Sequence, residues 1–351
     1  EASWSGTVFL SAFTTKTAVY VLLRGFPGTE FLVWIGLFMV FYGIVYAILE
    51  NDMRRILAYS IINQVGFMVT GVGIGTELAL NGAAAHAFTH IIYKALLLMS
   101  AGSVLLMTGR SKCTDLGGLF RTMPLTCLCG IIGALAISSF PLTSGFVSKS
   151  MIAEGAAGRH LMWIWLALAA ASAGVFLHAG IKFPWFVFFA KDSGLRPAEP
   201  PGSMRAAMIL LAILCIGFGV LPGPLYALLP FKVDYVPYTA PHVLFQLQLL
   251  LFSGLAFFLL LPLLKRTLTI TLDADWLWRR LAHGLLARVE RVGLGARDAF
   301  VLAVNGLGRA IRRGLLATHG PGGVLGKPWP TGRMALWTML MLAAYLAAAQ
   351  M

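Results

Sequence analysis

Three residues at steps of four, His86, His90 and Lys94, sit in an otherwise apolar stretch from Asn81 to Gly109. At about 100° per residue they share one helical face and span roughly 12 Å of axis. An ionisable group at the centre of a bilayer costs about 2.5–3.5 kcal/mol on insertion scales, so a stripe of three belongs against a protein interior or a wet cavity. Imidazole exchanges protons through either ring nitrogen near neutrality, which makes a proton or ion path the favoured chemistry. The competing reading of His86 and His90 is a metal pair. No acidic residue and no third His or Cys is near in sequence, and a lysine as third member argues against a metal.

Four further cations fall inside apolar runs. Lys16 lies near the middle of WSGTVFLSAFTTKTAVYVLLRG, with Ser11, Thr14, Thr15 and Thr17 around it, too far from either end to snorkel easily. It is either tied to a neighbouring carbonyl or carboxylate for structure, or a desolvated amine that exchanges a proton. Lys149 stands just beyond Pro141 in SSFPLTSGFVSKSMI. A proline in mid-span, between Ser138, Ser139 and Thr143, Ser144, Gly145, removes a backbone hydrogen bond and predicts a broken helix, tolerated at membrane depth where it lines a cavity or is buried in protein. His178 and Lys182 repeat the spacing of four before Pro184, nearer a span end where a snorkelling lysine is ordinary; they are read either so or as an end of the path.

The elements that must position these groups follow from composition. Of 351 residues 58% are hydrophobic and 12% charged, and the mean hydropathy is +0.81, which excludes an ordinary water-soluble domain. Nine apolar runs are long enough to span a bilayer, at residues 4–23, 31–49, 56–75, 83–108, 123–153, 161–190, 206–221, 241–264 and 335–350. The runs 123–153 and 161–190 are too long for one straight crossing and must tilt, break or project. The predicted fold class is all-α, a polytopic membrane protein of about nine transmembrane helices including a broken one.

The net charge of +13 sits in loops and in one C-terminal stretch, so positive-inside bias explains it better than nucleic-acid binding. Lys and Arg alternate between sparse loops (Arg24; none; Arg159; Lys232) and rich ones (Arg54 and Arg55; Arg110, Lys112 and Arg121; Lys191, Arg196 and Arg205; the region from Lys265). This puts the start of the first span and residues 265–333 on the cytoplasmic side. Asp52, Arg54 and Arg55 lie at a cytoplasmic boundary, where they can pair; the usual role of such charges is topological. Residues from about 274 to 316 carry eight arginines and apolar residues at helical spacing (Leu277, Leu281, Leu285, Val289, Val292), predicting an amphipathic lateral helix on the membrane surface, with Gly293 and Gly295 as candidate bends. Cys113, Cys127, Cys129 and Cys215 form no disulfide or metal framework. Glu1 leads almost directly into a span with no signal-peptide pattern, as though the chain began partway through a larger architecture.

Three stretches resemble the antiporter-like membrane subunits shared by respiratory complex I, membrane-bound hydrogenases and Mrp-type Na+/H+ antiporters. DMRRILAYSIINQVGFM resembles the segment leading into that family's tenth helix, HAFTHIIYKALLLMSAGSVL the eleventh and SSFPLTSGFVSKSMI the broken twelfth. The resemblance covers roughly residues 1–225. It implies that Lys16 matches the lysine of the eighth helix, His86 and His90 the histidines of the eleventh, and Lys149 the twelfth-helix lysine on the exit path. Residues 226–351 are similar to the lateral-helix extension of the largest such complex I subunit, though shorter. The family carries two inverted five-helix repeats; this sequence holds the second and only the last helix of the first, so the fifth-helix glutamate and seventh-helix lysine have no counterpart in it.

The resulting expectation is proton or Na+/H+ translocation by one subunit of a multi-subunit antiporter or complex I-like pump in a bacterial inner membrane. Lys16, His86 with His90, and Lys149 are its successive protonation sites. Lys94 is either a further relay member or structural. No motif for a cofactor or metal cluster is present, and the implied partners are other membrane subunits, one of them supplying the missing repeat if the subunit is split. Two other readings share the sequence: a proton-conducting subunit of an inorganic-carbon uptake complex, and a structural subunit of a membrane arm.

Overall fold

The computed structural model describes residues 2–263 and 276–350. Glu1, the end of the predicted run 241–264, Lys265 and the first two residues of the predicted lateral helix lie outside the described residues. Apolar runs become helices here because a backbone in lipid has to satisfy its own hydrogen bonds. The first four are α1 (Gly6–Gly25), α2 (Glu30–Leu49), α3 (Met53–Ile74) and α4 (Glu77–Thr108). The fifth run splits into α5 (Pro124–Ile137) and α6 (Ser144–Gly158). Then come α7 (Met162–Phe189), α8 (Gly202–Val220) and α9 (Ala240–Leu259). Among the described residues eight helices are long and apolar enough to cross a membrane, and the pair α5–α6 completes the nine predicted spans. The molecule is a polytopic all-α membrane protein.

The chain forms two compact units, Glu1–Thr271 and Leu272–Met351. In the first, α4 is the central helix, and its whole middle, from Ile92 to Leu98, is buried. Helices α2 and α3 pack through small residues: a Cβ added to Gly66 would lie 2.7 Å from the Gly36 carbonyl oxygen, so only glycine lets the two backbones meet this closely. In the second unit, α10 (His283–His319) follows a wider turn at Leu277–Ala282 and precedes α11 (Thr331–Ala349). Gly293 and Gly295 do not interrupt α10, because a glycine keeps its N–H and the ladder runs on through it. None of its side chains is buried.

The two ends of the bundle match the charge alternation. At one end Met53 N donates to Ser111 O (2.9 Å), Cys113 N to Asn51 O (2.8 Å) and Ser193 N to Gly117 O (3.2 Å), gathering the three arginine- and lysine-rich loops. At the other, Gly28 N donates to Val72 O (2.8 Å) and Asn81 Nδ2 to Phe231 O (2.9 Å), tying together the sparsely charged ones.

Asp52 has a second role at this boundary. Its carboxylate caps α3, accepting from the backbone N–H groups of Arg54 (2.8 Å) and Arg55 (3.1 Å), where an acid satisfies orphan donors and the helix dipole together. The Arg55 side chain pairs with Glu50 (3.1 Å), and Arg54 donates to the Ala2 carbonyl (2.7 Å) and to Thr7.

Candidate functional site

The three polar residues of α4 are fully buried, and the partners of His86 fix its tautomer. The carbonyl of Val40 can only accept, so Asn63 turns its amide nitrogen to it (3.0 Å). The Asn63 oxygen then receives the Gln64 amide nitrogen, which leaves Gln64 Oε1 as an acceptor facing His86 Nε2 at 3.1 Å. Nε2 therefore carries the hydrogen, and Nδ1 is the basic nitrogen, 3.0 Å from Ser148 Oγ. Ser148 also lies 3.1 Å from the Ser144 carbonyl and 2.9 Å from Thr89 Oγ1. A neutral His86 takes the Ser148 proton; a doubly protonated one donates to Ser148, whose hydroxyl swings to Ser144. Tyr93, with its hydroxyl 3.2 Å from both Gln64 Oε1 and His86 Nε2, closes the network.

His90 and Lys94 continue the stripe away from this network. Among the described residues, neither ring nitrogen of His90 nor the ammonium of Lys94 meets a hydrogen-bond partner, although all are buried. The His90 ring stands edge-on to Tyr93 with centroids 5.2 Å apart, and to His86 at 6.3 Å. Buried polar groups without protein partners are where ordered water is found in proteins, and an unpaired cation in a dry interior is costly by several kcal/mol.

Lys149 sits on α6 just past the break. Residues 138–143 leave the helix, with Ser139 at φ 58° and Leu142 at φ 68°, left-handed values that cost non-glycine residues energy and mark a conformation held by its surroundings. The Lys149 ammonium donates to the Ile137 carbonyl at 3.0 Å, at the C-terminus of α5, where the helix dipole favours a cation. It also lies over the Phe67 ring, 4.8 Å from its centre, and that ring meets His86 edge-on at 6.5 Å. On its other side Lys149 faces a cavity of about 250 Å³.

Lys16 donates to Ser11 O (2.7 Å) and Thr15 Oγ1 (3.1 Å), next to the π-helical turns Leu10–Thr14 of α1. Among the described residues no carboxylate reaches it. Lys182 is buried and not snorkelling: its ammonium takes the carbonyls of Ala47 (3.2 Å), Ile48 (2.5 Å) and Glu50 (2.5 Å) at the end of α2. His178, in the same π-helical stretch of α7, is buried, and among the described residues neither of its nitrogens has a hydrogen-bond partner.

Gln64, Asn63, Tyr93 and Ser148 are the site residues that spacing did not single out. The adjacent amides in the apolar run 56–75, and a tyrosine seven residues after His86 on the same helical face, are the signals that point to them. Among the described residues no group of three or more His, Cys, Asp or Glu could hold a metal ion.

The structure is a membrane-spanning helical bundle with a broken helix and with histidines and lysines buried inside it. Residues 1–175, about half of the chain, match the family described as NADH:quinone oxidoreductase/Mrp antiporter, TM, and the chain belongs to that family. It is 34% identical over 227 residues to a probable K(+)/H(+) antiporter subunit of Rhizobium meliloti (strain 1021), covering 61% of this chain and 23% of that protein. It is 27% identical over 366 residues to NADH-ubiquinone oxidoreductase chain 5 of Cryptococcus neoformans var. grubii serotype A, covering 91% of this chain and 53% of that one. The chain thus spans between about a quarter and a half of these curated relatives. Its fold is similar to a chain of the membrane-bound sulfane sulfur reductase, an archaeal respiratory membrane complex, with a TM-score of 0.62 at 23% identity over 99% of this chain and 64% of that one.

Proposed function

We propose that this chain translocates protons, alone or against Na+, as a membrane subunit of a multi-subunit cation/proton antiporter or complex I-like redox pump in a bacterial inner membrane. The observation that carries this is the buried array itself. Lys182 lies at the basic end of the bundle; His178, Lys94, His90 and His86 follow it inward; Lys149 opens on a cavity toward the sparsely charged end. Seven basic side chains are buried in this bundle, and backbone carbonyls hold the ammonium groups of Lys16, Lys149 and Lys182. Three of the seven, His90, Lys94 and His178, have polar atoms that meet no hydrogen-bond partner among the described residues, as a water-linked relay requires.

In this reading protons pass between Lys16, His86 with His90, and Lys149. The Ser148 hydroxyl reorients as His86 gains and loses its second proton. Driving energy comes from partner membrane subunits. A partner membrane subunit supplies the group that pairs with Lys16. Residues 1–225 form the translocating portion and residues 226–351 the extension, with α10 lying on the cytoplasmic membrane surface, its apolar residues toward lipid and its arginines toward lipid headgroups.

The test is proton uptake by the assembled complex in vesicles. Lys149→Ala and His90→Ala are expected to abolish uptake while the complex still assembles. A purely structural subunit would leave uptake unchanged in both.

A further inference from the structure

Beyond the residues that match the family, α9 forms one wall of the Lys149 cavity. Lys149, Ser150 and Glu154 of α6 line it on one side; Tyr235, His242 and Gln246, from the preceding loop and α9, line it on the other. Gln246 is buried and donates to the Ser138 carbonyl at 3.1 Å, one residue beyond the carbonyl that Lys149 takes. Thus α9 and Lys149 hold the same frayed end of α5. The cavity between them, of about 250 Å³, has room for several waters; its walls are mostly apolar, and these six side chains supply polar groups along them.

At the outer part of that wall stands His242. Its ring stacks on Phe146, with centroids 4.6 Å apart and planes 17° apart, which fixes the ring's orientation. Its Nδ1 lies 2.8 Å from the Pro237 carbonyl. A carbonyl only accepts, so Nδ1 carries the hydrogen and Nε2 is the nitrogen with a free lone pair. The ring is half-buried, at the boundary between cavity and surface. The charged and titratable groups that share the cavity are Lys149 and Glu154 from α6 and Tyr235 from the loop.

We propose that His242 is the outermost proton-transfer residue of the path. Lys149, when protonated, gives a proton through the cavity to His242 Nε2; the imidazolium keeps Nδ1–H on Pro237 and releases the Nε2 proton to the outside, returning to its starting tautomer. One proton enters and one leaves, and no other bond changes. The proposal rests on the translocation reading above, and it gives α9 a share in transport.

The experiment uses the whole complex in vesicles, with proton uptake followed in the parent, His242→Asn and Lys149→Ala, each with and without millimolar imidazole. Asparagine keeps an N–H donor for the Pro237 carbonyl but no exchangeable ring nitrogen. Uptake in His242→Asn is expected to fall by roughly tenfold or more, with assembly intact, and to recover in imidazole. Parental uptake in His242→Asn alongside loss in Lys149→Ala would overturn the role of His242 and leave the translocation reading standing. A loss that imidazole does not relieve would also overturn it, making His242 a packing residue. Parental uptake in Lys149→Ala would overturn the translocation reading itself.

Discussion

Lys149 reaches back across the break in its own span and donates to the Ile137 carbonyl at 3.0 Å. That carbonyl is one of the orphan acceptors at the end of α5, so the ammonium completes a half-helix and sits at its negative pole. A deprotonated Lys149 gives up the charge that holds it there. The protonation state of this side chain is thereby coupled to the geometry of residues 138–143, whose backbone is already in left-handed conformations at Ser139 and Leu142.

The donor order that fixes the His86 tautomer runs through Gln64, so Gln64 is the place to break it. Gln64→Leu strands His86 Nε2–H, Tyr93 OH and Asn63 Oδ1 in the interior, and the expected loss of stability is about 1–3 kcal/mol. Gln64→Glu keeps an acceptor for His86 but adds a charge beside it, so uptake slows while the fold survives. Thermal unfolding of the solubilised complex and proton uptake in vesicles check the two; parental uptake in both would contradict the assignment.

Lys182 ties the end of α2 to α7 by donating to three carbonyls. Lys182→Met removes all three donors from buried acceptors, with an expected loss of about 1–3 kcal/mol. Lys182→Arg, which keeps the charge and several donors, recovers part of that stability. Melting temperatures of the two variants that coincide with the parent would show that these contacts carry no stability.

Asp192 supplies the pH dependence at the basic end. Its hydrogen bonds to Arg196, then to the Gly194 N–H, hold its carboxyl well below the usual carboxylate range. A depressed folded value means that the stabilisation is complete above the ordinary carboxylate pKa, about 3.9, and is lost as pH falls below it. Hydrogen exchange across residues 190–196, corrected for intrinsic rates, is expected to be flat from pH 8 to pH 5 and to quicken only under about pH 4. Asp192→Asn quickens it at pH 7 and leaves proton uptake within about twofold of the parent, since an exposed surface pair is worth little to the bundle. Quickening already at pH 6 in the parent would contradict this cause.

What was legible in the sequence was each residue whose type is costly where it stands. A histidine or lysine in an apolar run demands an interior, and Pro141 among serines and threonines demands a break; both demands were met, at His86, His90, Lys94, Lys149 and the gap between Ile137 and Ser144. Less legible were roles that depend on distant backbone. Lys182 reads as a snorkelling cation by its place near a span end, because its three acceptors lie more than 130 residues earlier. Asp52 reads as an ion-pair partner of the arginines beside it, because a helix cap and a salt bridge share one local sequence. Gln64 and Ser148 are ordinary polar residues until folding places them on the two nitrogens of one imidazole.

The central claim is that protons pass through the buried array, and Lys149 is its most direct test. Proton uptake by the assembled complex carrying Lys149→Ala, with His90→Ala in parallel and assembly verified in the same membranes, is expected to fall to background. Uptake at the parental rate in both variants would contradict the account.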